Sequence, residues 1–252
     1  MMNVAYMETE ETLCTHLKLL NILKTYNPEL DRKLGGGLRL PTLTLIEGPN
    51  DSGKSVLAYQ FCYGALQCGY NVCFITTEQT LRGLINTMES LSYDVRKYFL
   101  SGKLRIYELH VNDFKWNPKI TKNLLNVLIN FMKYSLSKFK IFIIDSLTHL
   151  LTYAETTSVL NFFTNMLNLV DSGISIIISL HDYALNQDLM IRVRSICDTH
   201  IVLNVRELSG KVVRFMKILK AKGIEKTSDF IICFEVSPTF GLRILPYTQA
   251  KA

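Results

Sequence analysis

The sequence lacks any apolar run approaching the roughly 20 residues that a membrane-spanning helix needs, so we expect no transmembrane segment. Its first residues, MMNVAYMETEETL, carry neither the basic region nor the apolar region of a secretory signal. The six cysteines form no CxxC pair, and there is no HExxH motif. Because most of these cysteines lie in apolar stretches, where cysteine acts as a small hydrophobe, we predict no thiolate metal centre and a reducing, intracellular setting.

Repeats and low-complexity segments are also missing, and the composition is that of a globular domain. The 252 residues are 48% hydrophobic, which is enough to bury the core of one large α/β domain. The formal net charge of +6 favours anionic partners: nucleotides, nucleic acid, an acidic protein or a lipid surface. Basic residues are scattered along the chain, apart from a concentration in residues 211–226, and scattered lysines usually form a solvated face.

Strand and helix patterns alternate along most of the chain. Helical spacing of leucines over residues 8–24 predicts a short amphipathic helix, which ends before Pro28. Beyond it, strands such as KIFIID (140–145) and ISIIISL (174–180) are apolar throughout, as is typical of strands buried on both faces of a parallel sheet. Nearer the C-terminus, a Ser-Gly turn and two further strands predict antiparallel pairing. The predicted fold class is therefore α/β, with a mainly parallel sheet flanked by helices and antiparallel strands at the C-terminal side.

Residues 48–55, GPNDSGKS, fit the phosphate-binding (P-loop) pattern G-x-x-x-x-G-K-[ST] and lie between an apolar strand and a helix, the context that the pattern requires. Backbone N–H groups of such a loop point into one concavity, and the helix N-terminus adds partial positive charge. We expect Lys54 to reach the β- and γ-phosphates of a nucleotide and Ser55 to offer its hydroxyl to Mg²⁺. Asp51, an acid in an anion-binding loop, is expected to point outward. The candidate nucleotide-binding residues are Gly48, Asn50, Asp51, Ser52, Gly53, Lys54, Ser55 and Val56.

Three further polar side chains follow predicted strands. Asp145 ends KIFIID and is predicted to hold Mg²⁺ opposite Ser55. Glu78, in ITTEQT, ends a strand that we expect beside the P-loop strand, where it can orient the attacking water; the alternative is a solvent-facing acid. His181 ends ISIIISLH and is either a hydrogen-bonding partner of the γ-phosphate or a structural histidine. Since ligands of open parallel sheets sit at the carboxyl ends of strands, these side chains are expected to meet the P-loop.

These motifs together resemble the RecA-like ATPases of the KaiC type and, within them, the FlaH (ArlH) branch of accessory ATP-binding proteins of the archaellum, the archaeal swimming motor. The resemblance rests on LDRKLGGGLRLPTLTLIEGPNDSGKS, ITTEQT, GKLRIYEL, FKWNPK, IFIIDSL and LRILPY. It implies a RecA-like P-loop NTPase core over residues 27–252, preceded by an N-terminal helical extension over residues 1–26. That extension is either a partner-docking element or a species-specific addition.

The resemblance also implies ligands and partners. The ligands are ATP and Mg²⁺; the partners are a motor ATPase of the FlaI type, the membrane platform or ring proteins of the archaellum, and further copies of the chain, in a ring that can be hexameric. It implies a cytoplasmic protein held peripherally at the inner face of the cell membrane through these partners. KaiC-type proteins carry two adjacent glutamates where this chain has Glu78–Gln79. Lys220 and Lys222 match the Lys and Arg that KaiC-type subunits extend into a neighbour's nucleotide site, with a solvated strand edge as the alternative.

Two functional classes therefore compete. The first is an ATP-binding regulatory component that binds Mg-ATP with slow or no hydrolysis and controls assembly with the motor ATPase. The second is an active ATPase of the KaiC or RecA class, with DNA as a partner. Residues 182–198 have helical spacing and little glycine, unlike the mobile DNA loop of recombinases, and they lack aromatic-basic interleaving, so we do not expect nucleic acid to bind. A structural protein with a relic P-loop is disfavoured because Lys54, Ser55 and Asp145 are intact.

Overall fold

A computed structural model of the chain describes residues 21–110, 115–208, 211–223 and 231–245. The strands in these ranges are β1 (Ile22–Leu23), β2 (Leu38–Arg39), β3 (Leu43–Gly48), β4 (Val72–Thr76), β5 (Leu104–Glu108), β6 (Ile141–Asp145), β7 (Ser175–His181), β8 (Thr199–Leu208), β9 (Lys211–Lys220), β10 (Ile232–Ser237) and β11 (Gly241–Leu245). The helices are α1 (Pro28–Lys33), α2 (Lys54–Gln67), α3 (Leu81–Ser90), α4 (Arg96–Leu100), α5 (Pro118–Tyr134), α6 (Thr148–Thr152), α7 (Thr156–Asp171) and α8 (Gln187–Ile196).

Nine of these strands form one sheet in the order β11-β10-β9-β8-β3-β7-β6-β4-β5. The six strands from β8 to β5 run parallel, whereas β9, β10 and β11 pair antiparallel. The antiparallel part lies at the C-terminal side, so the predicted fold class is confirmed. The Ser-Gly turn expected between β8 and β9 lies outside the described residues.

The buried apolar side chains form two clusters, one on each face of the sheet. The first cluster packs α2, α3 and α4 against the sheet, and the second packs α5, α7 and α8. Helices on both faces explain why the central strands are apolar throughout. The ends of β3, β4, β6 and β7 are thus displayed together at one rim of the sheet, the carboxyl edge.

The strand that leads to Glu78 does not lie beside the P-loop strand, so that expectation is wrong. β3 pairs with β7 and β8, while β4 pairs with β5 and β6. Chain order does not fix sheet order, because the crossover through α2 can pass over several strand positions. The registers nevertheless align the strand ends: Gly48 lies beside His181, and Thr76 lies beside Asp145.

The expected N-terminal helix does not reach residue 24, because the chain there forms β1, which pairs with β2. Leu23 in β1 is fully buried. The same segment packs so closely on α2 that a Cβ at Gly64 would lie 2.3 Å from the carbonyl oxygen of Lys24. Tertiary packing therefore overrides the helical spacing at this point. Residues 8–20 of the expected helix lie outside the described residues, and the division of the chain at residue 26 stays a prediction.

The segment after β7 is ordered as its helical spacing predicts. Asn186 caps the N-terminus of α8, because its side chain accepts a hydrogen bond from the backbone N–H of Leu189 at 2.9 Å, and the helix buries one face. The short helices α1, α4 and α6 escape prediction because five or six residues are too few to show a helical period. Across the described ranges, no helix is both long and apolar enough to cross a membrane.

Candidate nucleotide-binding site

The loop between β3 and α2 has the backbone geometry of a phosphate site. Gly53 caps α2 with φ +94°, and Asp51 also has a positive φ, +58°. Gly48 ends β3 so close to the neighbouring strand that a Cβ there would lie 2.4 Å from the carbonyl oxygen of Leu203. No side chain caps the N-terminus of α2. The first backbone N–H groups of this 14-residue helix are therefore available to an anion.

Lys54 is held inside the loop. It is 7% exposed, and its Nζ donates to the carbonyl oxygen of Pro49 at 2.6 Å. Burial lowers the pKa of Lys54, while the charges of Glu78 and Asp145 oppose that shift. Ser52 Oγ donates to the same Pro49 oxygen at 2.8 Å, so this side chain closes the loop.

A cavity of about 360 Å³ opens beside this loop at the carboxyl edge of the sheet. The sequence-predicted residues on its lining are Asn50, Asp51, Gly53, Lys54, Ser55, Val56, Glu78, Asp145 and His181. Gly48 and Ser52 belong to the loop but not to the lining. Arg214 and Val236, which the sequence did not predict, also line the cavity. The volume is within the range of small-molecule sites.

Asp145 is a deeply buried carboxylate at the end of β6. It is 3% exposed and accepts a short hydrogen bond from Ser179 Oγ. Burial raises the pKa of Asp145 to about 6, and the charge of Glu78 adds to this, while hydrogen bonds from Ser179 and Ser55 and the charge of Lys54 oppose it. Ser55 and Asp145 thus bring a hydroxyl and a carboxylate together, which are oxygen donors of the kind that Mg²⁺ takes.

Glu78 lies at the cavity in a fixed position despite its exposure. Its Oε1 accepts from Ser146 Oγ at 2.8 Å. The backbone of Ser146 is in turn held by Thr77, whose Oγ1 accepts from Ser146 N at 3.1 Å and donates to Ser146 O at 2.9 Å. Gln79 lines a separate cavity of about 150 Å³, and within the described residues its Oε1 is buried without a hydrogen-bond partner. The geometry is therefore that of a single positioned carboxylate.

The surroundings of His181 are compatible with both of its predicted roles, a partner of the γ-phosphate and a structural histidine. Its Nδ1 shares a hydrogen bond of 2.8 Å with Thr148 Oγ1, which also accepts from the His181 backbone N–H at 3.0 Å. The ring stacks on Tyr183 with centroids 5.1 Å apart. Burial lowers the pKa of His181, with the charge of Lys54 acting in the same direction. A largely neutral imidazole is thus anchored on one side and lines the cavity on another.

Arg214 is the residue at this site that sequence reasoning missed. Its Nε donates to the carbonyl oxygen of Asp51 at 2.9 Å, and Phe234 packs so close to Gly53 that a Cβ there would lie 3.1 Å from its ring. Both side chains come from the antiparallel strands β9 and β10. Arg214 belongs to the basic concentration in residues 211–226, but only the strand register places it at the P-loop.

A second missed group lies just behind the loop. Glu47, 3% exposed, accepts hydrogen bonds from Arg194 Nε and His200 Nε2, both at 2.9 Å. Burial alone would raise the pKa of Glu47, but the hydrogen bonds from His200 and Arg194 lower it to about 2. The buried Glu47 thus fixes the end of β3 to the half-exposed Arg194 of α8 and to the buried His200 of β8. An isolated Glu before a P-loop glycine gives no signal of it in the sequence.

Lys220 and Lys222 lie away from the cavity of their own subunit. Lys220 pairs with His200 at the start of β8, and its Nζ donates to the carbonyl oxygen of Cys197 at 2.6 Å. Lys222 Nζ donates to the carbonyl oxygen of Pro41 at 2.6 Å. Both ammonium groups are therefore at the opposite rim of the sheet, and their action on a neighbouring subunit stays a prediction.

Comparison with known proteins places this site in a family. A family model described as the KaiC ATPase matches residues 23–249. The archaeal flagellar ATP-binding protein FlaH of Sulfolobus acidocaldarius is 32% identical over 231 residues, which cover 92% of this chain and 100% of that protein. The protein of the same name from Methanocaldococcus jannaschii is 27% identical, with 86% and 91% covered.

Solved structures agree with the sequence comparisons. The crystal structure of the flagellar accessory protein FlaH from M. jannaschii superposes with a TM-score of 0.75 at 25% identity, covering 90% of this chain and 99% of that one. A KaiC-like protein of Pyrococcus horikoshii gives a TM-score of 0.71 at 25% identity, with 90% and 100% covered. The chain therefore belongs to the KaiC family of ATPases and, within it, to the FlaH branch.

Proposed function

We propose that the protein binds Mg-ATP in the carboxyl-edge cavity with slow or no hydrolysis, and that the bound nucleotide controls its assembly with other components of the archaellum. The observation that carries this proposal is an intact P-loop lysine, Lys54, in one cavity with Glu78, which is followed by Gln79 in place of a second glutamate. Relatives named flagellar ATP-binding protein and flagellar accessory protein support the assignment.

The binding roles follow from the contacts. The backbone N–H groups of the loop and of the first turn of α2 receive the phosphates. Lys54 exchanges its Pro49 carbonyl for β- and γ-phosphate oxygens, which are better acceptors because they are charged. Arg214, already bonded to the loop at Asp51, adds a second cation beside the nucleotide.

Ser55 and Asp145 fit a magnesium ion, since both supply oxygen ligands at the same wall of the cavity. When bound, Mg²⁺ neutralises charge on the β- and γ-phosphates. Asp145 is suited to hold the ion because its burial leaves the carboxylate poorly satisfied without a cation, as its raised pKa indicates.

Slow turnover follows from the residue after Glu78. Glu78, held by Ser146, can orient and deprotonate a water beside the γ-phosphate. Gln79 cannot accept a proton, so the chain lacks the second carboxylate of the KaiC-type pair. A second candidate function, an active KaiC- or RecA-type ATPase, is favoured by the fixed position of Glu78. Action on DNA is disfavoured because the segment after β7 forms α8.

The partner whose binding ATP controls is expected to be a motor ATPase of the FlaI type. The chain itself is expected to form a homo-oligomeric ring, such as a hexamer, that is held peripherally at the inner face of the cell membrane. In such a ring Lys220 and Lys222 would contact the neighbouring subunit. The test is capture of a purified FlaI-type ATPase on the immobilised protein with and without Mg-ATP. We expect at least tenfold more capture with Mg-ATP. Equal capture in both conditions would contradict control of assembly by the nucleotide. Lys54→Ala, which is expected not to bind ATP, is the control.

Mg-ATP affinity is expected to fall below neutral pH because Asp145 must be ionised to bind the cation. With a pKa of about 6 in the ligand-free protein, Asp145 is mostly charged at pH 7 and mostly protonated at pH 5. The affinity should therefore rise by about tenfold from pH 5 to pH 7 and then level off. Calorimetric titration across this range tests it. Asp145→Asn, which cannot ionise, should retain only the pH dependence of the nucleotide itself, and an unchanged profile in that variant would refute the role.

A further inference from the structure

The opposite rim of the sheet, where the parallel strands begin, displays apolar and basic side chains together. The amino-edge surface, as we call it, consists of Leu100, Lys103, Lys133, Tyr134, Lys138 and Lys140. All six side chains are exposed, Leu100 by 84% and Tyr134 by 86%. Neither apolar side chain has a packing role at such exposure, so the core does not explain their presence.

Hydrogen bonds between neighbouring loops bring three of these lysines together, while Leu100 and Tyr134 end α4 and α5 at the same rim, on opposite faces of the sheet. The backbone oxygen of Lys103 accepts from Val72 N at 2.8 Å, and the backbone N–H of Lys140 donates to the oxygen of Asn71 at 3.1 Å. Asn71 Nδ2 also donates to the backbone oxygen of Lys138 at 3.0 Å. Lys103 and Lys140 therefore flank the start of β4 at about two strand spacings, or roughly 10 Å.

Four lysines give this surface a positive charge. Within the described residues, none of its four lysines forms an ion pair with a carboxylate. A cleft of about 270 Å³ opens between residues 69–71 and 136–140, with Lys138 and Lys140 on its wall. Four lysines along one rim, two of them on the wall of an open cleft, raise the local concentration of anions.

We propose that the amino-edge surface binds the anionic headgroups of a membrane surface directly. Its two apolar side chains are highly exposed, and each lies close in sequence to a lysine of this surface, Leu100 to Lys103 and Tyr134 to Lys133. An aliphatic and an aromatic side chain that enter the headgroup region, surrounded by lysines that contact lipid phosphates, form the usual pattern of an interfacial binding site. An acidic protein partner would use the same lysines, but it would have no headgroup region to receive Leu100 and Tyr134.

This contact is separate from the nucleotide site. The five-residue strands β4 and β6 set the two rims roughly 17 Å apart. A protein lying on a membrane by its amino-edge surface turns its nucleotide cavity away from the lipid. ATP and partner proteins then reach the carboxyl edge without crossing the headgroup layer, and the membrane contact does not depend on whether ATP controls assembly.

The test is co-sedimentation of the full chain with vesicles of phosphatidylcholine mixed with phosphatidylglycerol, against vesicles of phosphatidylcholine alone. We expect binding to the anionic vesicles only, weakening as salt is added. The double variant Lys103→Gln/Lys140→Gln should bind about 30-fold more weakly, because each lysine near an anionic surface strengthens binding to lipid by about fivefold. The variant Leu100→Ser/Tyr134→Ser should bind about tenfold more weakly, since interfacial binding scales with buried apolar area.

The matched control is Lys119→Gln/Lys122→Gln, which removes the same charge from exposed positions at the other end of α5. It should bind anionic vesicles almost as wild type does, and ATP binding should be unchanged in all three variants. Equal losses in the control and in Lys103→Gln/Lys140→Gln would show that net charge alone is responsible and overturn the proposal. Absence of binding to anionic vesicles would also overturn it, and would leave an acidic protein as the occupant.

Discussion

Replacing Lys54 with alanine will abolish nucleotide binding, with affinity for Mg-ATP reduced by at least about 100-fold, or ~2.7 kcal/mol. The loop can still present its backbone N–H groups, but the phosphates lose the only ammonium that the P-loop places inside the cavity. Hydrogen bonds between charged groups in a partly buried site are roughly twice as strong as neutral ones. Isothermal titration with Mg-ATP, or displacement of a fluorescent ATP analogue, measures the change directly.

We expect the Lys54→Ala variant to fold normally, so that a loss of affinity reports on nucleotide binding alone. Removing the side chain deletes one hydrogen bond to the Pro49 carbonyl and takes away a buried charge whose pKa is lowered by burial. Thermal unfolding without nucleotide should therefore be close to wild type, and only the variant's stabilisation by ATP should disappear. Lys119→Ala, an exposed lysine on α5, is the control and should bind normally. Retention of affinity within threefold by the Lys54 variant would contradict the site.

Glu78→Gln should leave nucleotide binding intact and remove what hydrolysis the protein has, by about 100-fold or more. The amide preserves size and can still bond with Ser146 Oγ, but it cannot take a proton from the attacking water. The two readouts are ATP affinity and single-turnover release of phosphate. Loss of affinity together with hydrolysis would make the role of Glu78 structural.

The companion variant Gln79→Glu supplies the second carboxylate of the KaiC-type pair. It should raise turnover above that of the wild type, because it restores an acid next to Glu78. The wild-type protein itself should turn over far less than once per second, below the ordinary range for enzymes. Turnover of several per second in the wild type, or no gain in the Gln79 variant, would favour the active-ATPase alternative.

The parts of the fold and site that are local in sequence are the parts that sequence reasoning recovers. The P-loop between β3 and α2 consists of eight consecutive residues with one geometry. The continuous apolar composition of strands such as β6 and β7 predicts that they are buried. The position of Asp145 at a strand end follows from the same pattern. Each of these predictions depends on neighbours along the chain.

What the sequence does not reveal depends on strand order and register. The expectation that β4 lies beside the P-loop strand β3 is wrong, and β4 pairs with β5 and β6 instead, because the sequence does not show how many strands a crossover passes. Arg214 reaches the P-loop through the antiparallel register of β9, and Glu47 is satisfied by Arg194, 147 residues away. Leu23 becomes a strand residue because β2 pairs with it. In each case the residue that determines the structure is distant in sequence, so a local hydrophobic pattern does not reveal it.

The strand β9 has a consequence for any ring that this chain forms. Arg214 bonds to the P-loop of its own subunit, and Lys220, six residues further along, lies at the opposite rim about 20 Å away. A strand held in a nine-stranded sheet is stiff, so it can act as a lever with one cation at each end. If Lys220 contacts the next subunit, ATP binding at one site affects the neighbouring site through this strand. ATP would then bind to the ring cooperatively instead of to each subunit independently.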